Sequence, residues 1–203
     1  MKILQTQTAP NPRRVRIFLA EKGIDVPYEE LYLTQGALKT PEFMKLNWFQ
    51  RVPVLILDDN TPIAETMAIC RYFEEIKPEP ALFGQGARER AIIEMWNRRM
   101  ELNLLLCVAQ AFRHLHPAMA QLEVPQVPAW GEANKPRVVE LLPFLDRELA
   151  ERPYIAGNSF SVADITALVA IDFMRVARIQ RPVELTHLAR WHSEVSARPS
   201  AKA

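Results

Sequence analysis

Read for apolar and polar spacing, the first third of the chain alternates between short extended runs and helical faces. Lys2–Gln5 reads as a strand and Thr6–Pro12 as a turn-rich loop. Arg13–Lys22 follows as a helix closed by Gly23, with Val15, Phe18 and Leu19 on one face. Val26–Leu33 alternates like a second strand. Thr40 and Pro41 have the form of an N-cap and a first helical residue. Val54–Leu57 is a short β-branched and apolar run, Asp58–Asn60 a turn signal, and Thr61–Ala64 a returning strand. Glu65 and Thr66 then open a helical run through Phe73. This order, β-α-β-α-β-β-α, predicts a thioredoxin-like α/β domain with a parallel βαβ unit and an antiparallel pair.

The pattern changes after a proline-rich break at Lys77–Gly84, which is read as linker over 78–85. Beyond it the periodicity is helical throughout. Ala87–Leu106 carries Ile93, Met95, Trp96, Met100 and Leu104 among charged residues and reads as one long helix, and a further helical run covers Cys107–His114. Pro117–Ala129 reads as an irregular loop or a short helix. Asn134–Leu149 has Val138, Leu141, Leu142, Leu145 and Leu149 on a helical stripe. Ser161–Ala177 is apolar enough to be the buried central helix, and Leu188–Ala197 is a last short one. The expected division is therefore residues 1–77 as the α/β domain and 86–203 as an all-helical bundle.

Composition narrows the function classes. In 203 residues, 49% are hydrophobic and 24% charged, and the formal net charge is +1. That balance gives no reason to expect nucleic acid or an anionic membrane as partner. No apolar run reaches the length of a membrane span, and the start lacks the long apolar region of a signal peptide. Cys70 and Cys107 sit inside apolar helical patterns, which fits buried free thiols in a cytoplasmic setting. His114 and His116 lack metal-ligand spacing, and no metal is expected.

The segment Gln50–Thr66 concentrates the candidate chemistry. Pro53 ends a loop just before a strand, where it removes no interior ladder bond. A cis bond there would turn the N–H and C=O of Val52 outward, toward an extended peptide that could pair as an added strand. The helix start at Glu65–Thr66 offers free N–H groups and a positive dipole end to a carboxylate. A peptide edge beside an anion pocket suits a small peptide with a free carboxylate.

Val52-Pro53 followed by Glu65-Thr66 resembles the glutathione-binding signature of the glutathione S-transferase family. Tyr154-Ile155-Ala156-Gly157 followed by Ser161-Val162-Ala163-Asp164 resembles the family's folding motif in its helical domain, a capping box with Asp at its fourth position. Arg190-Trp191 and Arg198-Pro199 resemble its C-terminal end.

The resemblance implies glutathione as co-substrate, an activated thiol attacking a small electrophile, and a homodimer. Within it, Glu65 accepts from the γ-glutamyl ammonium, Thr66 holds that group's carboxylate, and Arg51 and Lys39 are candidates for the glycyl carboxylate. Family members usually place a Tyr, Ser or Cys near the first loop to donate to the sulfur. Here Ala9 stands at the expected Ser or Cys position. Asn11 is the first candidate to replace that donor and Thr8 the second. Asn11 reads equally as a helix N-cap with Pro12 at the first helical position. Arg99 and Asn103, on the long helix of the second domain, and Phe112, on the run after it, are candidates for the electrophile's pocket. Two alternatives keep the fold: a glutathione-dependent disulfide or peroxide reductase or isomerase, and a non-catalytic binding or regulatory protein.

Overall fold

In a computed structural model, in which residues 1–32 and 36–203 are described, the chain divides into two compact units. The first comprises Met1–Ala81 with Pro199–Ala203, the second Leu82–Arg198. Residues 199–203 thus group with the first unit, although the apolar pattern alone assigned them to the helical one.

The first unit is a four-stranded sheet in the order β2-β1-β3-β4, made of β1 (Lys2–Gln5), β2 (Tyr28–Glu30), β3 (Val54–Ile56) and β4 (Pro62–Ala64). β1 runs parallel to β2 and antiparallel to β3, and β4 is antiparallel to β3. The parallel step is made through helix α1 (Pro10–Lys22), as a crossover between parallel strands requires. Leu4, Val54 and Ile56 point to one face and pack with Leu38 and with Phe43 of α2 (Pro41–Leu46). By strand alternation Ile3 and Leu55 serve the opposite face. Buried Val15, Phe18 and Leu19 of α1 and Ile69 and Phe73 of α3 (Thr66–Ile76) supply the apolar layer for it.

Two elements of this unit are bounded differently from the expectation. α1 begins at Pro10 instead of Arg13, with Ala9 as its N-cap residue, so Asn11 is inside the first turn and is not the cap. The prolines at positions 10 and 12 are compatible with a first turn, whose N–H groups have no intrahelical partner to lose. β2 is shorter than Val26–Leu33, and its three residues are exposed because it is the sheet edge; Leu33 lies outside the described residues. Elsewhere the local chemistry acts as read: Thr40 Oγ1 accepts from the Phe43 N–H at 3.2 Å, and Gly23 closes α1 in the left-handed region at φ 57°.

Lys22, in the last turn of α1, is buried. Its ammonium donates to the carbonyls of Lys77 (2.9 Å), Pro78 (3.0 Å) and Pro80 (2.5 Å) and pairs with Glu74. The proline-rich segment leaving α3 has few N–H groups with which to build regular structure, so its carbonyls take their donors from a side chain. Residues 199–202 form a short 3₁₀ turn against the same helix: Ser200 donates to Glu21, and Arg13 to the Ala201 carbonyl at 3.2 Å.

The second unit is helical: α4 (Gly86–Arg99), α5 (Leu106–Leu115), α6 (Pro128–Ala150), α7 (Val162–Met174) and α8 (Thr186–Ser196). Between α4 and α5 the helix does not stop. It widens into a π-helical stretch over Met100–Leu105, so the expected division after Leu106 is a change of pitch within one rod. α6 starts at Pro128, six residues before the expected Asn134, and runs through Pro136 and Pro143. α7 is apolar on all sides and buried along almost its whole length. Among the described residues no helix is long and apolar enough to cross a membrane.

The start of α7 is fixed by the fully buried Asp164. Its Oδ1 accepts from the Ile155 N–H and from Trp191 Nε1, both at 2.9 Å. Its Oδ2 accepts from the Ser161 N–H (3.0 Å) and hydroxyl (3.1 Å), completing the capping box. One carboxylate thereby ties the Tyr154–Gly157 turn, the helix start and α8 together. Asp164→Ala leaves those donors buried without an acceptor, and urea denaturation is expected to show a loss of roughly 3 kcal/mol or more. Burial pushes the Asp164 carboxyl from 3.8 up to about 6, against the hydrogen bonds, which lower it. Between those values the unfolded chain has released this proton and the folded chain still holds it. Stability from this group is therefore full at low pH and falls as pH rises through the window. The stability difference between wild type and Asp164→Asn should drop by about 3 kcal/mol from pH ~4 to pH ~7. A flat difference in urea titrations across that range would refute the shifted carboxyl.

Candidate functional site

The strand register gathers the candidate residues of the first unit. β3 and β4 pair Val54 with Ala64, Leu55 with Ile63 and Ile56 with Pro62. The pairing ends at Val54 and Ala64, so the Val52–Pro53 segment before β3 and Glu65 after β4 lie at the same end of the sheet. β1 pairs Leu4 with Val54, so Gln5 and Thr6 leave the sheet beside Pro53 and Val52. The first loop, the Val52 segment and the start of α3 therefore meet at one end of the sheet.

The Val52–Pro53 peptide bond is cis. The N–H of Val52 has no hydrogen-bond acceptor among the described residues. The loop before it is organised by Asn47, which is buried. Asn47 Nδ2 donates to the Arg51 carbonyl (2.9 Å), its Oδ1 accepts from the Phe49 N–H (3.1 Å), and its carbonyl accepts from the Gln50 N–H (3.0 Å). This residue was missed in the sequence, where the single polar position in Leu46-Asn47-Trp48-Phe49 was its only sign. An Asn bonding to backbone groups two and four residues on is a loop-former.

Glu65 is the N-cap residue of α3, at φ 71° and ψ 123°, and its side chain makes no capping bond. A non-glycine residue there is strained, at a cost of order 1–3 kcal/mol, and such strain clusters at functional sites. Its carboxylate is exposed, whereas Thr66 is buried. Ile69 N–H takes the Glu65 carbonyl at 3.0 Å. The N–H groups of Thr66, Met67 and Ala68 have no acceptor among the described residues. They form a small positive pole with a hydroxyl beside it and a carboxylate at its rim.

The α1 end is different. Pro10 and Pro12 have no N–H, and the Arg13 N–H is bonded to the Ala9 carbonyl at 3.3 Å. The Asn11 N–H is left as the main-chain donor of that first turn, with no acceptor among the described residues. The Asn11 side chain is half-buried, and its Oδ1 accepts from Arg14 at 3.3 Å, which leaves Nδ2 as its outward donor. Thr8 is exposed in the preceding turn. Thr6, by contrast, is occupied: its hydroxyl donates to the Leu31 carbonyl at 2.7 Å.

Arg51 is exposed, with Nη1 3.3 Å from the Gln50 carbonyl, and Lys39 is exposed at the end of a 3₁₀ turn. In the second unit, Arg99 stacks its guanidinium over Trp96 at 4.7 Å. Asn103 lies in the π-helical stretch and donates back to the Arg99 carbonyl at 3.2 Å. Phe112 packs against Phe173 and His116, with ring centroids 5.0 and 4.8 Å away.

The glutathione S-transferase N-terminal domain model matches residues 8–76, and the C-terminal domain model matches residues 96–199. The chain belongs to the glutathione S-transferase family. Glutathione S-transferase 2 of Saccharomyces cerevisiae is 39% identical over 205 residues, spanning 100% of this chain and 88% of that one. The crystal structure of a glutathione S-transferase domain-containing protein from Marinobacter aquaeolei VT8 superposes with a TM-score of 0.95 at 40% identity, covering 98% of this chain and 99% of the other. Elongation factor 1-gamma 2 of Oryza sativa is 31% identical over 182 residues, 89% of this chain but 42% of that protein.

For this transferase-family chain the loop at Asn47 is the part of the site most open to a direct stability test. Asn47→Ala strips the Arg51 carbonyl and the Phe49 N–H of their partners, and a loss of about 2 kcal/mol is expected in chemical denaturation. A loss below about 0.5 kcal/mol would show that water replaces both bonds without penalty.

Proposed function

We propose that the protein is a glutathione transferase that binds glutathione across Val52 and the start of α3, ionises its thiol and delivers the thiolate to a small electrophile. The observation that carries this reading is the register that brings the Val52 segment, whose N–H has no acceptor among the described residues, to the same end of the sheet as the strained Glu65 and the start of α3. The cysteinyl main chain of glutathione pairs with Val52 as an added strand. Its γ-glutamyl carboxylate lies on the Thr66 hydroxyl and the free N–H groups of α3, and its ammonium on Glu65. Arg51 and Lys39 serve the glycyl carboxylate.

A thiol with a reference pKa of ~8.5 is mostly protonated at neutral pH, so the site must favour the thiolate. Asn11, through its amide and N–H, and Thr8, through its hydroxyl, are the donors for this, aided by the positive end of α1. The thiol proton passes to solvent. The sulfur lone pair forms the new carbon–sulfur bond, and the leaving group departs with the bonding pair or, in an addition, the carbanion takes up a proton. Arg99, Asn103 and Phe112 are the candidates for contact with the electrophile. A cytosolic homodimer completes the reading. Its support is apolar surface that a second copy would cover: Trp48 and Phe49, 70% and 72% exposed, and the exposed Met95, Leu102 and Leu106.

A second reading, a non-catalytic binding module, draws on Ala9 at the N-cap of α1, which brings no side-chain donor, and on the likeness to an elongation factor subunit. Calorimetry with glutathione separates the two when the bound thiolate is followed by its ultraviolet absorbance. Binding with a raised thiolate fraction is expected. Thr66→Ala and Glu65→Gln should each weaken affinity by about tenfold or more, the scale of a charge-assisted hydrogen bond. Asn11→Ala should lower turnover with binding retained. No binding at millimolar glutathione sinks the transferase reading.

A further inference from the structure

The loop from Thr6 to Ala9 carries Thr8 and leads into the open end of α1, yet its own structure is a single turn bond from the Ala9 N–H to the Thr6 carbonyl, 3.0 Å. Further support comes from two side chains of opposite charge on the elements flanking β1. Glu30, at the end of β2, accepts from the Gln7 N–H at 2.8 Å. Arg16, in α1, donates through Nη2 to the Gln7 carbonyl at 2.9 Å and through Nη1 to Gln5 Oε1 at 2.8 Å. Gln7 is therefore gripped at both of its backbone groups, one by an anion and the other by a cation.

Charge-assisted bonds of this kind are about twice as strong as neutral ones, which matters on a loop with no ladder to hold it. Arg16 is half-buried, and burial disfavours its charge while Glu30 and Tyr28 favour it. Anion and cation balance, so the grip orders the loop without adding net charge beside a thiolate. Neither residue belongs to the glutathione contacts described above.

We propose that Arg16 and Glu30 are positioning residues: by clamping Gln7 from both sides they set where Thr8 and the first turn of α1 stand relative to the glutathione sulfur. The catalytic half of this proposal rests on the transferase reading. The clamp itself is independent of it.

The test uses the full chain with Arg16→Met, Arg16→Lys, Glu30→Ala and Glu30→Gln. Hydrogen exchange of the Gln7 and Ala9 amides is followed by NMR, and turnover is measured with glutathione and chlorodinitrobenzene as model electrophile. Arg16→Met should speed exchange at the Gln7 N–H, a group Arg16 does not touch, by about tenfold. It should lower kcat by about tenfold, the scale of a misplaced reacting group, with KM for glutathione changed less than about twofold. The thiolate absorbance of bound glutathione should fall with kcat. Arg16→Lys should recover most of both, and Glu30→Gln, which keeps an acceptor oxygen, should lose less than Glu30→Ala. Unchanged exchange at Gln7 and Ala9 in Arg16→Met overturns the clamp whether or not the wild type uses glutathione. Faster exchange with kcat and thiolate fraction unchanged overturns the catalytic half. A wild type that binds no glutathione removes the transferase reading and that half with it, while exchange at Gln7 still decides whether the clamp exists.

Discussion

The row of backbone pairs running from Leu4 through Val54 to Ala64 determines where the chemistry of the first unit stands. Each strand of the row has only three or four residues, so the sheet contributes little by length. What specifies it is burial. Leu4 and Val54 face Leu38 and Phe43 on one side, and Ile3 and Leu55 face the other. A slip of one residue would exchange the two faces and bury Lys2 or expose Leu55. Because the pairing cannot slip, the three chain segments that leave the sheet at its Leu4 end stay in one place: the loop after β1, the Val52 segment and the start of α3. A strained Glu65 is sustained only because the strand before it and the helix after it are both anchored.

Lys22 in the first unit and Asp164 in the second are buried charges handled in the same physical way. Lys22 is surrounded by carbonyls and a carboxylate, Asp164 by N–H groups and a hydroxyl. In water either group would be solvated as well, so the net gain from these bonds is modest. The cost of removing the charge alone is large, because the ring of partners would be left unsatisfied. Both knots sit where the chain leaves regular structure: Lys22 at the proline-rich exit from α3, Asp164 at the turn before α7. Irregular backbone has polar groups to satisfy, and a charged side chain satisfies several at once.

Much of this was legible in the sequence because it depends on local chemistry. Thr40, Gly23, Ser161 and the β3–β4 pair follow from residue type and spacing, and so does the placing of Glu65-Thr66 at a helix start. The misreadings have physical reasons. Pro10 and Pro128 fall in stretches whose pattern reads as loop, although a first helical turn tolerates proline as readily as a loop does. The π-helical stretch at Met100–Leu105 has no signature in the apolar pattern, which keeps its stripe through the widened turn. Lys22, Asn47, Arg16 and Glu30 look like ordinary surface polar residues in one dimension. Their partners are from 2 to 58 residues away, and most of those pairings exist only once the sheet has formed.

The first unit is not a continuous piece of chain. Pro199–Ala203 fold back onto α1, where Ser200 meets Glu21 and Arg13 meets Ala201. On a ribosome, residues 1–81 emerge long before these partners do, whereas every residue of the second unit is available before residue 199 appears. The helical unit can thus be packed while α1 still lacks part of its cover. The α/β unit, although synthesised first, is the one whose final contacts are made last.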